Sequence, residues 1–218
     1  MNIIFNLFEN LLNIFFNFTN DWGIAIVLLT ASVKLVFLPM TIKQKINMLK
    51  QKELSEKIQD LKTKYKDNKD KLESEMAKHY NESTKGFLGC LSAFLQIPFI
   101  YTLYRVVLTM PVESSTIIIP WVTSIKLSDS YFIVPMIYAL ISLSPNLLSY
   151  IKYLDVVKQD LSNKSNIVIT IIFSILVTFK SPIAIGIYFI TNSIFSLIEE
   201  VAYRIYLRKY YNINPQNS

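Results

Sequence analysis

The sequence predicts an all-α integral membrane protein with five transmembrane helices, an N-terminal interfacial amphipathic helix and a cytoplasmic helical hairpin. Three observations carry that expectation. The 218 residues are 52% hydrophobic and only 17% charged, against roughly 25% charged in soluble domains. Apolar stretches approaching the roughly 20 residues a helix needs to cross a bilayer core recur along the chain. The net charge of +6, from 22 Lys and Arg against 16 Asp and Glu, is gathered into segments between those stretches, as when cations are kept to one side of a membrane.

Composition also excludes several chemistries. Cys90 is the single cysteine, so no internal disulfide can form. With His79 as the single histidine, there is no Cys/His zinc cluster. The four glycines, Gly23, Gly86, Gly89 and Gly186, fit neither a Walker loop nor a dinucleotide fingerprint. Nothing in the chain points to nucleotide hydrolysis.

Residues 1–21 hold no Lys or Arg and so lack the charged n-region of a signal peptide. Asn2, Asn6, Glu9, Asn10, Asn13 and Asn17 recur at helical spacing among Ile3, Ile4, Leu7, Phe8, Leu11, Leu12, Phe15, Phe16 and Phe18. That pattern predicts a helix lying in the outer interface. A sixth span is the alternative, and its polar stripe would be expensive in lipid. Asp21 and Trp22 mark the interface before the first span, 22–41.

Residues 42–86 read as a soluble helical hairpin. Ile42, Ile46, Leu49, Leu54, Ile58, Leu61 and Tyr65 form one apolar stripe; Leu72, Met76 and Tyr80 form a second. Asp67-Asn68-Lys69-Asp70 supplies the turn, and Asp70 with Glu73 has capping-box spacing. Twelve lysines against eight acids leave the hairpin basic. Its outer surface is either a solvated face that sets topology or a surface for anionic lipid, ribosomal RNA or another protein.

Four further spans are expected at 87–110, 131–150, 166–180 and 183–203, followed by a tail, 204–218. Lys180-Ser181-Pro182 separates the last two, because proline cannot continue the hydrogen-bond ladder and a lysine is costly at mid-bilayer. The fourth span is short, which implies local bilayer thinning. Five spans place 18 of the 22 cations on one side. The expectation is therefore an outside N-terminus and a cytoplasmic C-terminus.

Lys34 lies deep inside the first span, where ionisable side chains are rare. It reads equally as a snorkelling lysine or as a functional cation facing protein or water. Its polar company favours the second reading. Thr30 and Thr41 share its helix face. Thr170, Ser174 and Thr178 stripe the fourth span, Asn192, Ser196 and Glu199 or Glu200 stripe the fifth, and Gln96 sits within the second. Each stripe alone is common helix–helix glue; together around a cation they suggest a wet cavity open to the cytoplasm. No Ser/His or Cys/His couple and no carboxylate pair falls within the spans, so an enzyme is not expected.

These residues resemble the YidC/Oxa/Alb membrane protein insertase family. Asp21-Trp22-Gly23-Ile24-Ala25-Ile26 leading into Val33-Lys34-Leu35-Val36-Phe37-Leu38-Pro39-Met40-Thr41 is similar to the family's first core span. The lysine-rich hairpin follows, ending in Met76-Ala77-Lys78-His79-Tyr80. Gly89-Cys90-Leu91 and Leu95-Gln96-Ile97-Pro98-Phe99-Ile100, with Leu103-Tyr104, resemble the next span. Ser181-Pro182-Ile183-Ala184-Ile185-Gly186-Ile187-Tyr188-Phe189-Ile190-Thr191-Asn192 resembles the last. The resemblance covers roughly residues 20–207.

The family's groove arginine is Lys34 here. Lysine keeps the charge but loses the planar fork. The large extracytoplasmic domain and lipoprotein signal of other members are not seen, and the form is closest to the compact Gram-positive type; the end, Tyr210–Ser218, is nearly uncharged, unlike the basic tails that help some members hold ribosomes.

The resemblance implies an insertase of the bacterial plasma membrane, without cofactor, metal or ATP hydrolysis. Its groove residues would be Lys34, Thr30, Gln96, Ser174 and Asn192. Its partners would be nascent membrane proteins and the lipid bilayer, with a ribosome or Sec translocon as candidates. The alternatives are a small-solute transporter or channel, with Lys34 as an anion site, and a non-catalytic membrane assembly factor.

Overall fold

The computed structural model describes residues 2–66, 71, 91–109, 114–151, 153–154 and 164–211. Among these there are helices and no strands. They are α1 (Asn2–Thr19), α2 (Trp22–Lys64), α3 (Leu91–Thr109), α4 (Ile133–Leu147), α5 (Lys164–Phe179) and α6 (Ile183–Tyr211), with a 3-10 turn, Leu148–Tyr150, after α4. The second hairpin stripe, the Asp70–Glu73 cap, His79 and Cys90 lie outside the described residues.

Among the described residues, each expected span contains a helix. Helix α2 runs without interruption from Trp22 to Lys64, with Pro39 inside it. Proline removes one ladder hydrogen bond, and the apolar periodicity beyond it keeps the next turns helical. The last helix continues past residue 203 to Tyr211. Trp22–Lys64 and Ile183–Lys209 are long and apolar enough to cross a membrane; Phe99–Thr109, Ile133–Leu147 and Ile167–Phe179 are shorter. At 15 residues α4 spans only ~22 Å at 1.5 Å per residue, short of a ~30 Å core.

The chain forms two compact units, Met1–Val36 with Ile100–Ser218, and Phe37–Phe99. In the second, Leu54 and Phe99 are buried, and the Tyr65 N–H donates to Leu61 O at 2.9 Å, extending the helical pattern past Lys64.

The first unit is organised by its helix ends. Asn20 closes α1 in a left-handed conformation, φ 53°, and its N–H donates to Phe16 O at 2.7 Å, an αL stop that asparagine tolerates. Phe16 then stacks on Trp22 at 3.9 Å, fixing the corner into α2. Leu12 is buried, whereas Leu7, Ile14 and Phe18 are exposed.

Asp21 caps α2 by accepting the Ile24 N–H at 2.9 Å. The same carboxylate accepts the Thr116 hydroxyl and the Ile117 N–H, both at 2.7 Å. The segment after α3 is thereby pinned to the start of α2. Asp129 plays the matching part for α4, accepting Tyr131 N–H at 3.1 Å and Val134 N–H at 2.8 Å. At α6, the orphan N–H groups of Ile183 and Ala184 donate to Leu127 O at 2.9 Å and Ile125 O at 3.0 Å. Lys126 Nζ reaches Leu108 O near the end of α3 at 3.2 Å. One connection, 114–132, thus ties together the ends of four helices.

Helix α4 packs against both α5 and α6. Its aromatic contacts are Phe132 on Phe179 and Tyr138 on Phe189, each with ring centroids 5.1 Å apart. At Gly186 of α6 a Cβ would collide with the Val134 side chain, so the glycine permits the close α4–α6 approach. Gly186→Leu is expected to destabilise the fold by about 1–3 kcal/mol through overpacking, read as a lower unfolding midpoint in detergent. The outward faces of α4 and α5 carry exposed Met136, Leu140, Ile169, Phe173 and Leu176, an apolar surface suited to lipid.

Candidate functional site

Lys34 lies on α2, one turn after Thr30. It is half-buried, and its Nζ donates to Ser196 Oγ on α6 at 3.2 Å. Ser196 belongs to the face Asn192, Ser196, Glu199, whose spacing of four and three residues aligns them along one side of a helix. Asn192 is half-buried one turn before Ser196, and Glu199 is buried one turn beyond it. A cation, a hydroxyl, an amide and a carboxylate therefore share one polar strip. It can accept and donate hydrogen bonds to a peptide segment and attract an acid. Among the described residues, no group of three or more His, Cys, Asp or Glu could hold a metal ion.

The other predicted groove residues are placed differently. Thr30 is fully buried and its hydroxyl donates to Ile26 O at 2.7 Å on its own helix. Ser174 is also fully buried. Its Oγ lies 3.0 Å from Ser142 Oγ of α4. The structure thus puts Ser174 in the α4–α5 contact, with Thr178 donating to Ser174 O at 2.7 Å. That stripe serves as helix–helix glue, the ordinary use of such residues in apolar surroundings. Gln96 lies on α3 by its backbone, and its side chain is outside the described residues.

Sequence reasoning left Glu199 and Glu200 as equals, and the structure separates them. Glu200 pairs with Arg204 at 2.9 Å. Glu199 Oε1 is buried and meets no hydrogen-bond partner among the described residues. Arg204 itself reads in the sequence as one more cytoplasmic cation. It is instead 1% exposed, with its Nη1 donating to Leu154 O at 2.9 Å. The Glu200–Arg204 spacing of four residues was the available signal; the carbonyl partner, 50 residues away, left none.

A family model described as 60Kd inner membrane protein matches residues 14–210. The membrane protein insertase YidC of Helicobacter pylori (strain ATCC 700392 / 26695) is 30% identical over 214 residues, 95% of this chain and 37% of that protein. That of Campylobacter jejuni is 27% identical over 190 residues, 87% of this chain and 35% of its own length. That of Caldanaerobacter subterraneus is 28% identical over 191 residues and matches 87% of this chain and 88% of its own length. The chain thus spans little more than a third of the Helicobacter and Campylobacter relatives and most of the Caldanaerobacter one.

Proposed function

Because the chain belongs to the 60Kd inner membrane protein family, we propose that it is a membrane protein insertase working through a polar groove that carries Lys34. The observation that carries this reading is the Lys34 Nζ–Ser196 Oγ hydrogen bond. It holds the one cation of this apolar stretch of α2 against a polar strip rather than against lipid.

On this reading residues 1–21 lie in the outer interface and 22–41, 87–110, 131–150, 166–180 and 183–203 cross the membrane. The hairpin, 42–86, and the tail, 204–218, face the cytoplasm. A client's polar tail would lose several kcal/mol for each unsatisfied polar group in hydrocarbon. A hydrated groove ending part-way through the bilayer shortens that dry path, and no nucleotide is consumed. Lys34 attracts acidic tail residues, and Asn192 and Ser196 offer hydrogen bonds. Thr30 and Ser174, whose hydroxyls are spent within the fold, support the walls. The client's apolar segment then leaves along the outward faces of α4 and α5, where short helices thin the bilayer. Clients are small membrane proteins with short, mildly acidic translocated tails. A ribosome or a Sec translocon delivers them.

Complementation in cells depleted of their own insertase tests this. Lys34→Ala and Lys34→Glu should lower insertion of a single-span client with an acidic tail by about tenfold or more, the loss of one charged hydrogen-bonding interaction. Lys34→Arg should retain most of it. Wild-type insertion by all three variants, at equal protein levels, would remove the groove from the mechanism.

A further inference from the structure

Glu199 asks for an explanation that the groove reading alone does not supply. It is 7% exposed, and its Oε1 meets no donor among the described residues. Leaving a buried acceptor unsatisfied is costly, more so for a charged one, and such groups in native folds call for a cause. Its neighbour Glu200 has one, since Arg204 Nε donates to it at 2.9 Å. Arg204 also gives its Nη1 to Leu154 O. Glu199 instead lies three residues after Ser196, on the helix face that receives the Lys34 amine. One turn beyond half-buried Ser196, α6 thus carries a carboxylate.

Three residues of α-helix amount to ~4.5 Å of axial rise, and an extended chain advances ~3.3 Å per residue. The level of Lys34 and that of Glu199 are thus separated by one to two residues of an extended client. We propose that Glu199 is a specificity-determining residue of the groove, accepting a basic side chain that trails, by one or two positions on the cytoplasmic side, the acidic residue drawn to Lys34. The proposal rests on the groove reading and adds to it a rule of charge order. Lys34 alone selects tails by acidity. Lys34 with Glu199 selects tails in which an acid leads and a base follows. A tail with the reverse order sets like charge against like at both levels, which disfavours it.

The test uses the full chain in proteoliposomes and one single-span client whose tail is varied at two positions. The tails are Asp-Gly-Lys with Asp leading, Lys-Gly-Asp, and Asp-Gly-Gln. Insertion is read by protease protection. Wild-type protein should insert the acid-leading, base-trailing tail several-fold better than the reversed tail and better than the glutamine tail. Glu199→Gln, which keeps the shape and removes the charge, should bring the lysine and glutamine tails to parity. Equal insertion of those two tails by wild-type protein overturns the proposal without any variant, so a poorly accumulating Glu199→Gln protein does not shield it. An unchanged wild-type preference in Glu199→Gln overturns it as well. Lys34→Ala distinguishes the two failures. If Lys34→Ala still loses insertion while the tails show no charge-order preference, the groove stands and the role of Glu199 falls. If Lys34→Ala inserts normally, the groove itself falls.

Discussion

Arg204→Ala is expected to destabilise the protein by about 3–5 kcal/mol, the usual cost of breaking a buried ionic contact by removing one partner. The side chain is 1% exposed and uses both edges of its guanidinium. Nε holds Glu200 and Nη1 holds the Leu154 carbonyl, each at 2.9 Å. Truncation removes the Arg204 donors from Glu200 and from the Leu154 carbonyl and leaves a cavity the size of the lost stem. Arg204→Lys should recover only part of the loss, because a point ammonium does not reproduce a planar fork. One turn on, Arg208 repeats the contact, with Nη1 donating to Tyr153 O at 2.8 Å and the guanidinium 4.0 Å over the Tyr153 ring. The two arginines clamp 153–154 onto the end of α6. Thermal unfolding in detergent reads the stability change. Faster amide exchange at Ile151 and Leu154, whose N–H groups close the local turns, reads its location. An unfolding midpoint equal to wild type would show that Arg204 is not the anchor of this connection.

Asp21 carries the second large effect, with a pH signature. Burial raises its pKa. The donors facing it outweigh that: the Ile24 and Ile117 N–H groups, the Thr116 hydroxyl and the Gly23 N–H together hold the carboxyl below its ordinary value. Hydrogen bonds to a charged group are worth about 1.5–3 kcal/mol each, so Asp21→Ala, which strands several donors at once, should cost on the order of 3 kcal/mol. Gly23 makes the site exacting, since a Cβ there would strike the Thr116 side chain. The sign of the pH dependence follows from the lowered pKa. In acid the unfolded chain binds the proton more readily than the folded one, so this contribution is complete above the unfolded carboxylate range and fades as pH falls through the lower folded value. Wild-type protein should therefore lose stability on acidification below the ordinary carboxylate range, about pH 4, more steeply than Asp21→Asn. Parallel pH profiles of the two proteins would remove the carboxylate from this role.

Much of the helical layout was legible because its causes are local. Apolar runs, Asp21 and Trp22 before the first span and Lys180-Ser181-Pro182 before α6 act within one or two turns. The candidate site was less legible. Thr30, Ser174 and Asn192 have the same appearance in a periodic pattern, yet the hydroxyls of the first two are occupied by Ile26 O and Ser142. A stripe of small polar residues reports that a face is not lipid-facing; it does not report what that face meets.

Local chemistry thus marked the apolar stretches that hold helices, showed that the chain is too apolar for an ordinary soluble domain, and showed that Lys34 is out of place in an apolar run. Packing settled the rest. The partner of Lys34 is 162 residues away, Asp21 holds a loop 95 residues distant, and Arg204 turns from a surface cation into a buried anchor. Those outcomes depend on which helix faces meet. They arise from burial and from the need to satisfy every polar group taken out of water, and no spacing within a single segment encodes them.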